Sequence, residues 1–191
     1  MRKDFNGCNV IIYDEDNNKL ASVRIEEYNT SENSIAISPV DGLKAGMLCH
    51  LLIMSAPVPY SYKGRVHKRG RRTIITLFKG EANDKRKGAH RYKSDMPTQV
   101  VSLILDGKVH AMHMFTEGRI LNISTGGIRL RTVYNAFNVG DKFQAVLKNN
   151  EVNTRLSAEV VSRTDIEGNE FSEFSCKFVG ESVADEDNEN D

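Results

Sequence analysis

The chain has 191 residues, of which 39% are hydrophobic and 27% are charged, a composition typical of globular proteins. This length suits one large domain or two small ones. No apolar run approaches the roughly 18 residues that a membrane-spanning helix needs. The apolar stretch near the N-terminus, residues 8–13, is too short for a signal peptide, so we expect a cytoplasmic location.

The formal net charge is zero, but the charge is unevenly distributed along the chain. Residues 181–191 contain six acidic residues and no lysine or arginine, so the preceding body carries six more basic than acidic residues. Residues 181–191 also have little apolar content, which predicts a disordered acidic tail. The basic body is compatible with an anionic ligand.

The cysteines exclude a common class of metal and redox sites. Cys8, Cys49 and Cys176 are widely spaced, and no C-x-x-C pair occurs. A zinc ribbon or a redox motif is therefore not expected. Each cysteine lies in a strand-like run, which predicts reduced, packed side chains.

The first half of the chain has the pattern of a small β-domain. Short runs rich in β-branched and aromatic residues predict strands, and a polar turn at residues 14–18 predicts a hairpin between the first two. These strands are expected at residues 10–13, 20–25, 34–37, 47–53, 60–66 and 73–78. Their regular spacing indicates a small antiparallel barrel or sandwich, and we assign it to residues 1–84.

The composition changes at residues 80–94, which are rich in charged residues and glycine and lack apolar periodicity. Such a segment is typical of a linker. After Pro97 the period-two alternation of strands returns, most clearly at residues 128–131, 142–148, 155–160 and 173–178. We therefore predict a second β-domain over residues 85–180, with a basic segment at residues 85–96. No convincing amphipathic helix occurs.

Two clusters of polar residues are candidates for ligand binding. The first lies in the basic segment and comprises Arg86, Lys87 and Arg91. An arginine guanidinium donates two hydrogen bonds to the O6 and N7 acceptors of guanine. It also stacks on a base or pairs with phosphate. Taken alone, basic residues in a linker are usually just solvated.

The second cluster is the sequence N-I-S-T-G-G at residues 122–127, between two predicted strands. Asn122 offers an amide and Ser124 a hydroxyl for the polar edge of a base. Gly126 and Gly127 permit positive φ angles and a close approach of the ligand to the backbone. Alone, this pattern is common in hairpin turns.

In this order and in this β context, the two clusters resemble the signature of the PilZ domain family. That signature is a basic R-x-x-x-R stretch followed by [D/N]-x-S-x-x-G. Asn122, Ser124 and Gly127 match the second part, Arg91 matches the second arginine, and Lys87 stands where the first is expected, preceded by Arg86. The resemblance covers roughly residues 85 to 180.

The preceding β-rich region is similar in architecture and domain order to the N-terminal split barrel of flagellar-brake PilZ proteins. The resemblance implies an all-β protein with two small antiparallel β-barrels, the second six-stranded, joined by a basic linker. It implies binding of cyclic di-GMP by Arg86, Lys87, Arg91, Asn122, Ser124, Gly126 and Gly127. Binding then reorients the domains to regulate motility or a related surface behaviour, with a flagellar motor or stator protein as partner.

Two other functions remain open. Lys87 is a point charge that pairs with phosphate but makes no two-pronged contact, so a PilZ-like interaction module that binds no nucleotide is one alternative. The other is a barrel that binds single-stranded nucleic acid through the basic run at residues 63–72 and through Tyr60 and Tyr62. The acidic tail opposes polyanions, which makes nucleic acid the less favoured partner.

We do not expect an enzyme, a cofactor or a metal site. His110 and His113 are three residues apart in a strand-like run, so their side chains point to opposite faces. The sequence contains none of the common catalytic motifs, such as H-E-x-x-H, a P-loop or G-x-S-x-G.

Overall fold

The computed structural model describes residues 4–55, 58–78, 90–133, 135–148, 153–166, 168 and 170–180. Every regular element among these residues is a β-strand, and the twelve strands form two closed antiparallel barrels of six strands each. The expected all-β architecture with two barrels is thus confirmed.

The first barrel is built from the strands predicted in the first half of the chain. They are β1 (Asn9–Tyr13), β2 (Lys19–Asn29), β3 (Ser34–Ile37), β4 (Leu48–Met54), β5 (Tyr60–Arg69) and β6 (Arg72–Phe78). Their order around the barrel is β1-β2-β3-β6-β5-β4, and pairing between β1 and β4 closes the ring.

The second barrel contains the longer strands. They are β7 (Tyr92–Leu105), β8 (Lys108–Ile123), β9 (Gly127–Val133), β10 (Lys142–Leu147), β11 (Thr154–Asp165) and β12 (Phe171–Phe178). Their order is β10-β11-β12-β9-β8-β7, and β10 pairs with β7 to close the ring.

Alternation of apolar and polar residues along the strands explains which side chains fill the interiors of the two barrels, since successive side chains of a strand point to opposite faces. On β10, for example, Phe143, Ala145 and Leu147 are buried while Lys142 is exposed. The first barrel departs from this pattern on β1 and β4. Alternate residues there fill its own core, and the others (Ile11, Tyr13, Leu52 and Met54) pack into the same cluster as the core of the second barrel.

The second barrel begins earlier than the linker composition suggests. β7 starts at Tyr92, so the last five residues of the basic segment 85–96 form a strand. Pro97 therefore lies inside β7 and not at its start. The strand accommodates it because the β7–β8 register shifts between Lys93 and Met96, and bulges are among the few places where a sheet tolerates proline.

A long hairpin joins β7 and β8. Its two-residue turn is Asp106-Gly107, with φ angles of 51° and 79°. Positive φ at both positions is what a type I′ turn requires, and this type matches the twist of the flanking strands.

The three cysteines are unbridged, with Cys49 and Cys176 buried and Cys8 partly buried. Burial raises the pKa of Cys49 to about 11 and that of Cys176 to about 12. Both thiols are therefore protonated and act as small apolar side chains.

Candidate ligand-binding site

The strand register of the second barrel brings Arg91 of the first predicted cluster close to the second cluster. Tyr92 at the start of β7 pairs with Ile123 at the end of β8, and Lys93 pairs with Asn122. Arg91, which is exposed, therefore lies beside the turn that begins at Ser124. Arg86 and Lys87 lie outside the described residues.

The hydroxyl of Ser124 holds the turn between β8 and β9. Its Oγ accepts hydrogen bonds from the backbone N–H groups of Gly126 and Gly127, both at 3.2 Å. The backbone N–H of Ser124 donates to the Gly127 carbonyl at 2.9 Å. Only 6% of the Ser124 surface is exposed, so the hydroxyl serves mainly to fix the turn backbone.

Gly127 is required because a side chain there would clash with β12, and not because the residue adopts a positive φ. A Cβ atom at this position would lie 2.0 Å from the carbonyl oxygen of Cys176 on β12. Neither Gly126 nor Gly127 has a positive φ, so the expected use of the left-handed region was wrong. The close approach of β9 to β12 excludes every side chain at Gly127. At Gly126, by contrast, a Cβ would meet only the Ser124 hydroxyl, at 3.9 Å.

Cations that were not among the predicted site residues continue the site along β9. Asn122 pairs with Arg129 across the β8–β9 ladder, and Arg119 pairs with Arg131. The alternation of buried and more exposed residues points both β9 arginines away from the barrel core. The signal was present in the sequence, because Ile128-Arg129-Leu130-Arg131 reads as a strand with a basic outer face.

Glu173 on β12 pairs with both of these arginines. Its Oε1 lies 2.5 Å from Nη2 of Arg131, and its Oε2 lies 2.7 Å from Nη2 of Arg129. These interactions, led by the hydrogen bond from Arg131, hold the pKa of the Glu173 carboxyl below its usual range. The carboxylate therefore fixes two guanidinium groups next to the turn.

Arg119 is fixed in the same way at the neighbouring position. Its Nε donates to Oδ1 of Asp95 at 2.6 Å and its Nη2 donates to Oδ2 at 2.8 Å, which is the bidentate geometry of strong arginine–carboxylate pairs. The hydrogen bond from Arg119 is also the main reason that the pKa of Asp95 is lowered.

An open groove of about 510 Å³ runs beside these arginines on the outside of the barrel. Gly118 lies at this groove, where a Cβ atom would meet the Arg131 carbonyl and a Leu130 methyl group at 2.8 Å. Arg119, Arg131 and Lys148 contribute cationic side chains to its lining. Glu117 also lines the groove, and none of the lining residues belongs to the turn at residues 124–127, so the groove is a separate polar surface of mixed charge on the outer face.

The segment that carries Arg91 also contacts the first barrel. Tyr92 stacks on Tyr13 with ring centroids 4.5 Å apart, and its hydroxyl lies 3.1 Å from Oγ of Ser61. His90 lies 2.7 Å from the side-chain oxygen of Asn17. The residues on both sides of Arg91 therefore contact the first barrel, which places Arg91 directly at the junction.

Comparison with known proteins gives a family and several structural neighbours. The family model "PilZ domain" matches residues 85–189. The structure of the Bacillus subtilis inhibitor of motility (MotI/DgrA) is 18% identical, with 90% of this chain and 87% of that chain covered and a TM-score of 0.37. No curated protein matches the chain.

Two complexes with c-di-GMP are also similar. For K. pneumonia MrkH the identity is 14%, with 91% of this chain and 79% of that chain covered and a TM-score of 0.37. For YcgR from Escherichia coli the identity is 10%, with 91% and 76% covered and a TM-score of 0.36. In this chain, no helix of the described residues is long and apolar enough to cross a membrane.

Proposed function

The chain belongs to the PilZ domain family, and from this premise we propose that it is a cytoplasmic receptor for cyclic di-GMP. The observation that carries the proposal is the β7–β8 register, because it brings Arg91 next to the N-I-S-T-G-G turn. Arg91 and Asn122, which are 31 residues apart in the sequence, are thereby close enough to contact one ligand. A cyclic dinucleotide offers two guanine bases and two phosphates, which suit guanidinium and amide donors.

We assign the ligand contacts by chemistry. Arg91, which is exposed, and Arg86 bind guanine or phosphate, and Lys87 pairs with phosphate as a point charge. Asn122 presents its amide to a base edge. The backbone around Gly126 is open enough for a ligand to approach closely.

Ser124 and Gly127 act through the shape of the turn. The Ser124 hydroxyl is engaged by two backbone N–H groups, and Gly127 permits the close contact between β9 and β12. Their loss changes the binding surface without removing a charged contact. Arg129 and Arg131 extend the cationic surface beyond the motif, and Glu173 keeps both in place.

Ligand binding reorients the two barrels in this proposal. Arg91 is flanked by His90 and Tyr92, and both contact the first barrel. A ligand that binds Arg91 and the turn must therefore favour one arrangement of this junction over others. The output is control of motility or a related surface behaviour through a flagellar motor or stator protein. Affinity purification with and without cyclic di-GMP that recovers no such protein would contradict this output.

The receptor function is tested by calorimetric titration with cyclic di-GMP. We expect the wild-type protein to bind, and Arg91→Ala and Asn122→Ala to weaken binding about tenfold or more, since hydrogen bonds to charged groups contribute roughly 1.5–3 kcal/mol. Arg155→Ala is the matched control, because Arg155 is an exposed arginine on β11 away from the motif. Ser124→Ala is expected to weaken binding by loosening the turn.

Absence of binding by a folded wild-type protein would overturn the receptor proposal. The function would then be that of an interaction module that binds no nucleotide. Equal weakening by Arg155→Ala and Arg91→Ala would reject the assigned site, since it would indicate a general charge effect.

A further inference from the structure

The first barrel carries a row of cations that the proposed ligand site does not use. On β5 the side chains of Lys63, Arg65, His67 and Arg69 are exposed, while Gly64 and Val66 between them are buried. Arg71 follows in the turn to β6 and is also exposed. We call these five exposed residues, from Lys63 to Arg71, the β5 basic face.

Among the residues that the structure describes, the cations of the β5 basic face have no carboxylate partner. None of Lys63, Arg65, Arg69 and Arg71 forms an ion pair with any residue that the structure describes. Arg72, just beyond, reaches Glu27 at 3.4 Å. Like charges at neighbouring positions of a sheet are destabilising, and the barrel core gains nothing from outward-facing cations. Such a row indicates a surface for an anionic partner.

The arrangement of the charges indicates the kind of anion. The row from Lys63 to Arg69 extends along one strand for about 20 Å, at roughly 3.3 Å per residue, with a cation or histidine at every second position. A nucleic acid also presents its charges in a line. β5 also pairs with β4, and β6 with β3, so the hairpin belongs to the closed barrel and meets a polyanion with its outer face.

Stacking on unpaired bases is not favoured by the same hairpin. Tyr60 and Tyr62 are half-buried and pack against the core of the first barrel, with ring centroids 5.5 and 5.9 Å from that of Phe5. Alternation along β5 places their rings on the opposite side of the strand from Lys63 and Arg65, so they do not supply the stacking platforms beside the cations that single-stranded binding uses. This favours a duplex, held by its phosphates.

We propose that the β5 basic face binds the phosphate backbone of double-stranded DNA, without sequence selectivity. The chain has a net charge of zero because the six acidic residues of 181–191 offset its excess cations in the sum. Those acidic residues follow β12 of the other barrel in the sequence, so the net charge does not reveal the β5 basic face. The β5 basic face does not include any residue assigned to cyclic di-GMP. The test of DNA binding is therefore independent of the test of the proposed receptor function.

The test is fluorescence anisotropy with a labelled 20-base-pair duplex of arbitrary sequence, titrated between 50 and 200 mM salt. The variant Arg65→Ala/Arg69→Ala/Arg71→Ala is expected to bind about tenfold more weakly or worse at 50 mM salt. Its plot of log affinity against log salt should be shallower by about 2.7, at roughly 0.9 for each phosphate contact removed. Thermal unfolding verifies that each variant is folded.

The matched control removes three exposed cations from other parts of the surface, Lys19→Ala/Lys108→Ala/Arg155→Ala, and should leave the salt slope unchanged. A charge-preserving variant, Arg65→Lys/Arg69→Lys/Arg71→Lys, should retain most of the slope. The proposal is overturned if the wild type does not bind the duplex at 50 mM salt, or if both triple alanine variants lose affinity equally. Binding to polyglutamate or to phosphatidylserine vesicles without binding to the duplex would also overturn it.

Discussion

The two barrels share a strand count and a closed antiparallel ring, but they treat their surface charges differently. On the second barrel the arginines near the turn are held by carboxylates, as with Arg129 and Arg131 on Glu173 and Arg119 on Asp95. On the first barrel, Arg65 and Arg69 of the β5 basic face have no such partner among the described residues. Arginines paired with carboxylates have fixed positions and form a surface that can recognise one small ligand. Arginines without a carboxylate partner suit a long and regular polyanion.

The largest effect on stability is expected from removing the Tyr92 side chain, which joins the two barrels. Tyr92→Ala deletes a ring that is 1% exposed and stacks on Tyr13, and we expect a loss of about 3–5 kcal/mol in the free energy of unfolding, as for other buried aromatic residues. Urea denaturation followed by tyrosine fluorescence measures it. If the barrels depend on this contact, their unfolding should also separate into two transitions.

Tyr13→Phe is the control for that prediction. The Tyr13 hydroxyl is buried and has no hydrogen-bond partner among the described residues. Its removal keeps the ring stack and deletes an unsatisfied polar atom, so stability should stay equal or rise. A large loss from Tyr13→Phe would show that the hydroxyl has a partner outside the described residues.

The next largest effect tests the turn of the second barrel. Gly127→Ala places a Cβ 2.0 Å from the Cys176 carbonyl, and the resulting overpacking should cost about 1–3 kcal/mol or more. Gly126→Ala, which meets only Ser124 Oγ at 3.9 Å, should change stability by about 0.5 kcal/mol at most. Differential scanning calorimetry of the two variants gives the comparison, and similar melting temperatures would refute the steric account.

The smallest effect is expected from removing the carboxylate that holds two arginines of the second barrel. Glu173→Gln frees Arg129 and Arg131 from their carboxylate, and because both arginines are partly exposed we expect a loss of about 1 kcal/mol at pH 7. The folded-state pKa of Glu173 is lowered, so its stabilisation is present above the unfolded pKa of about 4.3 and is lost as the pH falls through the folded pKa.

Urea denaturation of the wild type and of Glu173→Gln at several pH values between 7 and 3 measures this difference, which should shrink on acidification. In a background of Arg129→Ala/Arg131→Ala, the effect of Glu173→Gln should largely disappear. A difference that grows at low pH would have the wrong sign for an ion pair.

Much of the fold follows from the sequence, because alternation along a strand is a local signal. Residues 34–37 were predicted as the strand that the structure contains, and β10 at Lys142–Leu147 lies within the predicted run. The start of β7 at Tyr92 was missed because charged residues before Pro97 are typical of a linker. Pairing with β8 and a bulge overrode that local preference.

The site was predictable only in part. The motif nominated Arg91, Asn122 and Ser124 as candidates, and the strand pattern contains the arginines of β9. The contact between Glu173 and Arg131 joins residues 42 positions apart, and that between Tyr13 and Tyr92 joins two barrels. Neither contact has a local signal in the sequence, so the three-dimensional structure is needed to show which cations pair with carboxylates.

The position of Tyr92 has a consequence for whatever protein the two barrels meet. If cyclic di-GMP at Arg91 favours one arrangement of the junction, thermodynamic linkage requires the converse. A partner that grips both barrels in that arrangement must tighten cyclic di-GMP binding by the same factor by which the nucleotide tightens the partner's binding. The apparent sensitivity to the second messenger would then be a property of the assembly, set by how much partner is present.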